Sequence, residues 1–181
     1  MNKLSMINIQ QKSQPEAFHS ELIVDGIIFS EWLSEFTDKN AQLKVLDVKE
    51  LGLSINLDFY PDTKLVWYYL GQLNEGSISY VPLLVCPDDN DLSCTVIATE
   101  QHVINGYVKW KRFGRLKGFI QQQNPATIDW FEGIPELTFD KDNFESIFGQ
   151  FKQNFTEAYQ HQGEFEDIDF PKNSLIENYL D

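Results

Sequence analysis

The dipeptide Asn105-Gly106 constrains the fold more than any other feature of this chain. Asn-Gly supplies the two positive φ angles that a type I′ turn requires, and such a turn joins two strands through a two-residue loop. A two-residue loop sets the register. Ile104 then faces Tyr107, Val103 faces Val108, and Glu100 faces Lys111, an opposite-charge pair worth about 0.2–1 kcal/mol. Ile97, Val103, Val108 and Trp110 share one face, the core side. Glu100, His102, Lys109 and Lys111 share the other, the solvent side.

Other elements are placed around this hairpin. Leu51, Leu53, Ile55, Leu57 and Phe59 alternate with small or polar residues, the period of a half-buried strand. Pro61-Asp62 reads as a turn, and the β-branched and aromatic run Lys64 to Leu70 as a second strand. Ile78 to Cys86 reads as a third, with Pro82 marking an edge or a bulge because proline donates nothing to a ladder. Asp25-Gly26 is a tight turn between Glu21–Val24 and Ile27–Phe29. Ser30 is a candidate N-cap for a short helix carrying Trp32, Leu33 and Phe36.

A longer helix is predicted from Asp142, with Glu145 completing a capping box. Phe144, Ile147, Phe148, Phe151, Phe155, Ala158 and Tyr159 follow its apolar stripe, Gly149 interrupts it, and Gly163 stops it. A last short helix is predicted from Ser174. Gly114 to Trp130 has the least pattern and reads as an exposed loop. Strands in the middle and helices at the ends predict a single α+β domain over residues 1–181. Its centre is an antiparallel sheet of about five to seven strands, with N- and C-terminal helices packed on it. A chain of 181 residues and 21.0 kDa buries roughly 70% of its unfolded surface, enough for a core without metals or disulfides.

The net charge is −14, from 28 acidic and 14 basic residues. Such a chain repels nucleic-acid phosphates and anionic membranes and attracts basic partners. No apolar run approaches the roughly 20 residues that span a bilayer, and the N-terminus lacks the apolar core of a secretory signal. A cytoplasmic protein with free Cys86 and Cys94 thiols is expected.

No glycine-rich nucleotide loop and no H-E-x-x-H spacing occurs, so no cofactor is expected. The loop from Cys86 to Cys94 holds Asp88, Asp89, Asn90 and Asp91, oxygen donors that suit a hard cation. It lacks the glycine and terminal glutamate of an EF-hand, and its cysteine spacing is not that of a zinc knuckle. A plain polar turn is the competing reading. Lys109, Lys111, Arg112, Arg115 and Lys117 reverse the sign of charge locally. They make either an anion subsite or a solvated strand face paired with acids such as Glu100. Glu164, Glu166, Asp167 and Asp169 alternate with Phe165, Ile168 and Phe170, which suits a basic, partly apolar partner or an edge strand.

Asp25-Gly26 before Trp32, Trp67, the run Tyr80 to Asp89, Cys94-Thr95-Val96, and Trp110-Lys111-Arg112-Phe113-Gly114 together resemble small bacterial immunity-type proteins, the cognate inhibitors of polymorphic or contact-dependent toxins. The likeness spans roughly residues 20–155 and lies in size, acidity and a sheet-centred layout. It implies a non-enzymatic protein that binds and neutralises one toxin domain, expected to be basic. No residue roles carry over. Asp88, Asp89, Asp91, Glu164, Glu166, Asp167 and Asp169 are the candidate partner-binding residues. The alternatives are a small-ligand or metal-binding enzyme that brings His19 or His102 to the Asp88–Asp91 loop, and a structural adaptor.

Overall fold

The computed structural model describes residues 1–11, 14–37, 40–56, 60–88 and 91–160. The fold is α+β, and the described residues form a six-stranded antiparallel sheet, a three-stranded sheet and four helices. The small sheet comes first. Strands β1 (Leu4–Gln11) and β2 (Gln14–Val24) pair antiparallel, and Asp25-Gly26 turns the chain into β3 (Ile27–Ile28). Asp25 and Gly26 both take positive φ, +52° and +89°, as the sequence leads one to expect. The Asp25 carboxylate also accepts the Asn2 side-chain amide and the Lys3 N–H, each at 2.7 Å. Strand β1 is not expected from the sequence: its Asn8 has low strand preference, and Ile7 on it is exposed.

Helix α1 (Phe29–Ser34) follows β3 directly. Ser30 does not cap it. Ser30 lies inside the helix, buried, and Ile28 holds the N-cap position without a side-chain bond. Packing decides this boundary, because Phe29 must reach Trp110 and Phe113, with ring centroids at 5.6 and 5.9 Å.

Helix α2 (Ala41–Lys44) comes next, with Asn40 Oδ1 accepting the Gln42 and Leu43 N–H at 3.0 and 3.2 Å. Of the strand expected from Leu51, the described residues form only β4 (Gly52–Leu53), followed by a 3-10 turn at Ser54–Asn56, and Leu57 and Phe59 lie outside them. Leu53, Ser54 and Ile55 are all buried, so alternation is overridden by enclosure on both sides. Ser54 satisfies its hydroxyl by donating to the Pro82 carbonyl at 2.7 Å. The expected strand over Lys64–Leu70 is instead helix α3 (Tyr60–Leu70), and Pro61-Asp62 lies in its first turn, where a proline loses no bond. Thr63, Val66, Trp67 and Leu70 are buried at helical spacing, a period that outweighs the strand-like composition.

The large sheet adds β5 (Ile78–Val85), β6 (Val96–Ile104), β7 (Tyr107–Leu116), β8 (Ile128–Trp130) and β9 (Leu137–Asp140) to β4. Its order is β4–β5–β6–β7–β8, with β9 also on β7. The Asn105-Gly106 turn forms with φ of +54° and +76°, pairing Ile104 with Tyr107 and Val103 with Val108. Pro82 sits at a register shift in β5, the expected bulge. Gly114 to Trp130 is not a plain loop. Its ends are strand, two 3-10 turns lie between, and Ile120 and Ile128 are buried.

Helix α4 (Lys141–Gln160) starts one residue earlier than expected and is capped by Asp140, whose Oδ1 accepts the Asn143 N–H at 2.9 Å, rather than by Asp142. Phe144, Ile147, Phe148 and Phe151 are buried. The side chains of Phe155, Ala158 and Tyr159, the stop at Gly163 and the helix from Ser174 lie outside the described residues. One face of the sheet carries the core. Trp110 is its hub, with the rings of Phe29, Phe113, Phe139 and Phe144 all between 5.0 and 6.3 Å away.

Candidate functional site on the open face of the sheet

The other face of the large sheet carries Ile78 and Tyr80 on β5, Glu100, His102 and Ile104 on β6, Tyr107 and Lys109 on β7, and Thr138 on β9, by the strand register. Ile78, Ile104 and Tyr107 are exposed there.

The register between β6 and β7 slips between Thr99 and Gln101. Thr99 pairs with Phe113 and Gln101 with Trp110, so Glu100 stands opposite two residues, Lys111 and Arg112. Such a bulge re-aims a side chain. It changes the expected ion pair. Glu100 takes its Oε1 bond from His102 Nε2 at 2.6 Å and its Oε2 bond from Arg112 Nε. Lys111 pairs with Glu136 instead.

Arg112 then lies over Trp130, with its guanidinium carbon 4.0 Å from the ring centroid. Trp130 in turn meets Tyr80, ring centroids 6.0 Å apart. Tyr80 on β5 and Trp130 on β8 have two strands, β6 and β7, between them. They meet because Ala98 and Gly114 stand opposite each other on the intervening strands. A Cβ at Gly114 would fall 2.6 Å from both the Asp129 carbonyl oxygen and Ile128 Cγ2, so only glycine lets β8 come this close.

Gln123 holds the edge of this face. It takes φ +45°, rare for a residue with a side chain. Its amide accepts the Tyr80 N–H at 2.8 Å and donates to the Tyr80 carbonyl at 2.9 Å, replacing a neighbouring strand for one residue.

Burial raises the Glu100 pKa, but the bonds from His102 and Arg112 outweigh it and hold the carboxyl below its ordinary value of 4.5. Both oxygens are engaged, so Glu100 is an anchor for Arg112 and His102 rather than a base. Burial and the Glu100 charge push the Tyr80 phenol upward, leaving it a neutral donor. A depressed carboxyl stabilises the fold above its unfolded pKa and ceases to as pH falls through the folded value. Glu100→Gln is therefore expected to lose about 1–2 kcal/mol at pH 7, on the low side because Arg112 is 44% exposed. That gap should close as pH drops below 4.5. Urea unfolding of both proteins at pH 7 and pH 3.5 checks this.

The acidic loop that holds Asp88 and Asp91 joins the other ends of β5 and β6, away from Tyr80 and Glu100. Asp91 makes a local turn, its Oδ1 accepting the Ser93 N–H at 2.7 Å, and Ser93 keeps its carboxyl below the usual range. Asp62 in the first turn of α3 ties the loop down by accepting the Leu92 N–H at 2.8 Å. Asp88 is exposed; Asp89, Glu164, Glu166, Asp167 and Asp169 lie outside the described residues. Cys86 is half-buried and Cys94 exposed, and they form no disulfide.

Of the described histidines, neither reaches this loop: His102 bonds Glu100, two residues before it on β6, and His19 pairs with Glu21 on β2 at 3.2 Å. Among the described residues, no group of three His, Cys, Asp or Glu side chains is placed to hold a metal. Four members of the basic run pair with acids: Lys109 and Lys111 with Glu136, Arg112 with Glu100, and Lys117 with Asp129. Among the described residues, no helix is long and apolar enough to cross a membrane.

The sequence did carry a signal for this site. Apolar residues on β7 fall at even positions through Val108 and Trp110, then at odd Phe113. A parity slip across two adjacent basic residues is what a bulge leaves in a sequence.

No protein-family model, curated protein or solved structure matches this chain.

Proposed function

We propose that the chain is a binding protein of the immunity type, which holds one basic toxin domain against the open face of its large sheet and so neutralises it. The observation that supports the reading is the cluster of Tyr80, Trp130 and Arg112, fixed by Glu100 on a rigid strand scaffold. Tyr, Trp and Arg are the residues that dominate interface energies, and they do so when prearranged and ringed by neutral contacts. Ile78, Ile104 and Tyr107 extend the same face with exposed apolar surface. The −14 net charge adds long-range attraction for a basic partner, and this raises the association rate more than the final affinity. Asp88 and Asp91 contribute to that field.

A tagged pull-down from the source cells, washed at low and then high salt, tests the proposal. A single basic domain recovered in near-equal amount, and released more readily at high salt, is the expected result. Recovery of no protein at either salt would remove the proposal's basis.

A further inference from the structure

Arg112 is held in place without being used up. Its Nε donates to Glu100 Oε2, and its guanidinium carbon lies 4.0 Å from the Trp130 ring centroid. These two contacts orient the side chain before anything binds. A guanidinium carries five N–H donors in a rigid fork, and Glu100 takes only the one on Nε. Among the described residues, nothing accepts the hydrogens of the two terminal nitrogens, Nη1 and Nη2, and the side chain is exposed.

The charge around Arg112 is unbalanced. Lys109 and Lys111 share one acid, Glu136, while Glu100 divides its two oxygens between His102 and Arg112. Lys109, Lys111 and Arg112 thus meet two carboxylates among the described residues. Asp140 shares the face by its register with Tyr107, but it lies at the hairpin end and is taken up in capping α4. In a chain of net charge −14, the centre of this face is short of one negative charge.

Resting on the protein-binding reading, we infer that Arg112 receives one Asp or Glu carboxylate of the partner on its two terminal nitrogens. A carboxylate is planar and has two oxygens, so it matches the fork. A free carboxylate in water gains little from such an exposed cation. The pair becomes strong when a partner that covers Ile78, Ile104 and Tyr107 on the same strands also shuts out water. The carboxylate therefore belongs to a protein surface rather than to a small acid in solution. Net charge and local contact then have different tasks. The −14 charge draws a basic domain in, and Arg112 fixes its register through one acid.

The test is a double-mutant cycle between Arg112→Gln and the partner recovered by pull-down, each Asp and Glu of that partner being changed in turn to its amide. Affinities are measured at low and at high salt, and circular dichroism checks that each variant is folded. Arg112→Gln is expected to weaken binding roughly tenfold or more at both salts, because a pair shut off from water is little screened. One partner amide variant should weaken it as much, and the two changes together should cost little more than either alone. Arg112→Lys keeps the charge but not the fork, so it should lose affinity while associating at nearly the native rate. Sodium acetate titrated into the free chain should give no saturable shift of the Arg112 and Gly114 amide signals.

A partner that binds folded Arg112→Gln and Arg112→Lys at native strength overturns the inference and leaves the protein-binding reading standing. So does a loss of affinity that is coupled to no partner carboxylate. Saturable acetate binding would assign the fork to a small free acid and overturn the inference as well. Recovery of no partner overturns the protein-binding reading, and this inference with it.

Discussion

Gln101→Ala is expected to lower stability by roughly 3–5 kcal/mol and the melting temperature by about 10 °C. Gln101 is fully buried in β6. Its Oε1 accepts the Trp110 Nε1–H at 3.1 Å, and its Nε2 donates to the Leu70 carbonyl at 3.1 Å. That carbonyl belongs to the last turn of α3, where helical partners run out. The neighbouring Tyr69 carbonyl is taken in the same way by Ser79 Oγ at 3.1 Å.

Truncation to alanine would orphan an indole N–H at the centre of the core and a helix-end carbonyl, and would open a cavity. Each buried polar group left alone costs about 1–3 kcal/mol. Gln101→Met combined with Trp110→Phe removes the orphaned donor along with its acceptor and should recover part of the loss. Urea denaturation of the three proteins decides the matter. A loss below about 1 kcal/mol in Gln101→Ala would mean that this network does not join α3 to the sheet.

The second large effect is expected at Gly114. Gly114→Ala places a Cβ 2.6 Å from a backbone oxygen of β8, which cannot swing aside as a flexible side chain could. The strand must move away, at roughly 1–3 kcal/mol or somewhat more. Function should suffer with stability, because β8 carries Trp130. Displacing it parts Trp130 from both Arg112 and Tyr80, so the near-ultraviolet circular dichroism should change and partner affinity should fall even where the variant is still folded. Unchanged stability would show that β8 packs more loosely than this geometry requires.

The hairpin at Asn105-Gly106 was legible because turn chemistry and side-chain sorting agreed there, and the tight turn at Asp25-Gly26 was legible for the same reason. Helix α3 was not. Its Val, Trp and Tyr residues read as strand by composition, whereas the spacing of Thr63, Val66, Trp67 and Leu70 was helical. Propensity is the weaker of the two signals once a segment is buried. Strand β1 gave little pattern and depends on pairing with β2.

The candidate site was only partly visible. Glu100, His102, Lys109 and Lys111 were assigned to the solvent side, where they are. The bulge that substitutes Arg112 for Lys111 beside Glu100 leaves only a parity slip in the sequence, which a two-residue hairpin register does not capture. Trp130 and Gln123 fell in the segment with no period, and they join the site through tertiary contacts that no local pattern encodes. The acidic loop stands out in the sequence as charge, yet Asp91, Leu92 and Ser93 form a tethered polar turn.

The most direct test of the account is the affinity of the recovered partner for Trp130→Ala, measured by calorimetry beside the native chain and a variant carrying Asp88→Asn and Asp91→Asn. The account predicts a loss of about 2 kcal/mol or more for Trp130→Ala, roughly thirtyfold in Kd, as expected of an interface anchor. The double asparagine variant should bind at nearly native strength and differ mainly in association rate at low salt. A Trp130→Ala protein that remains folded and binds with native affinity would contradict the assignment of the open sheet face as the binding surface.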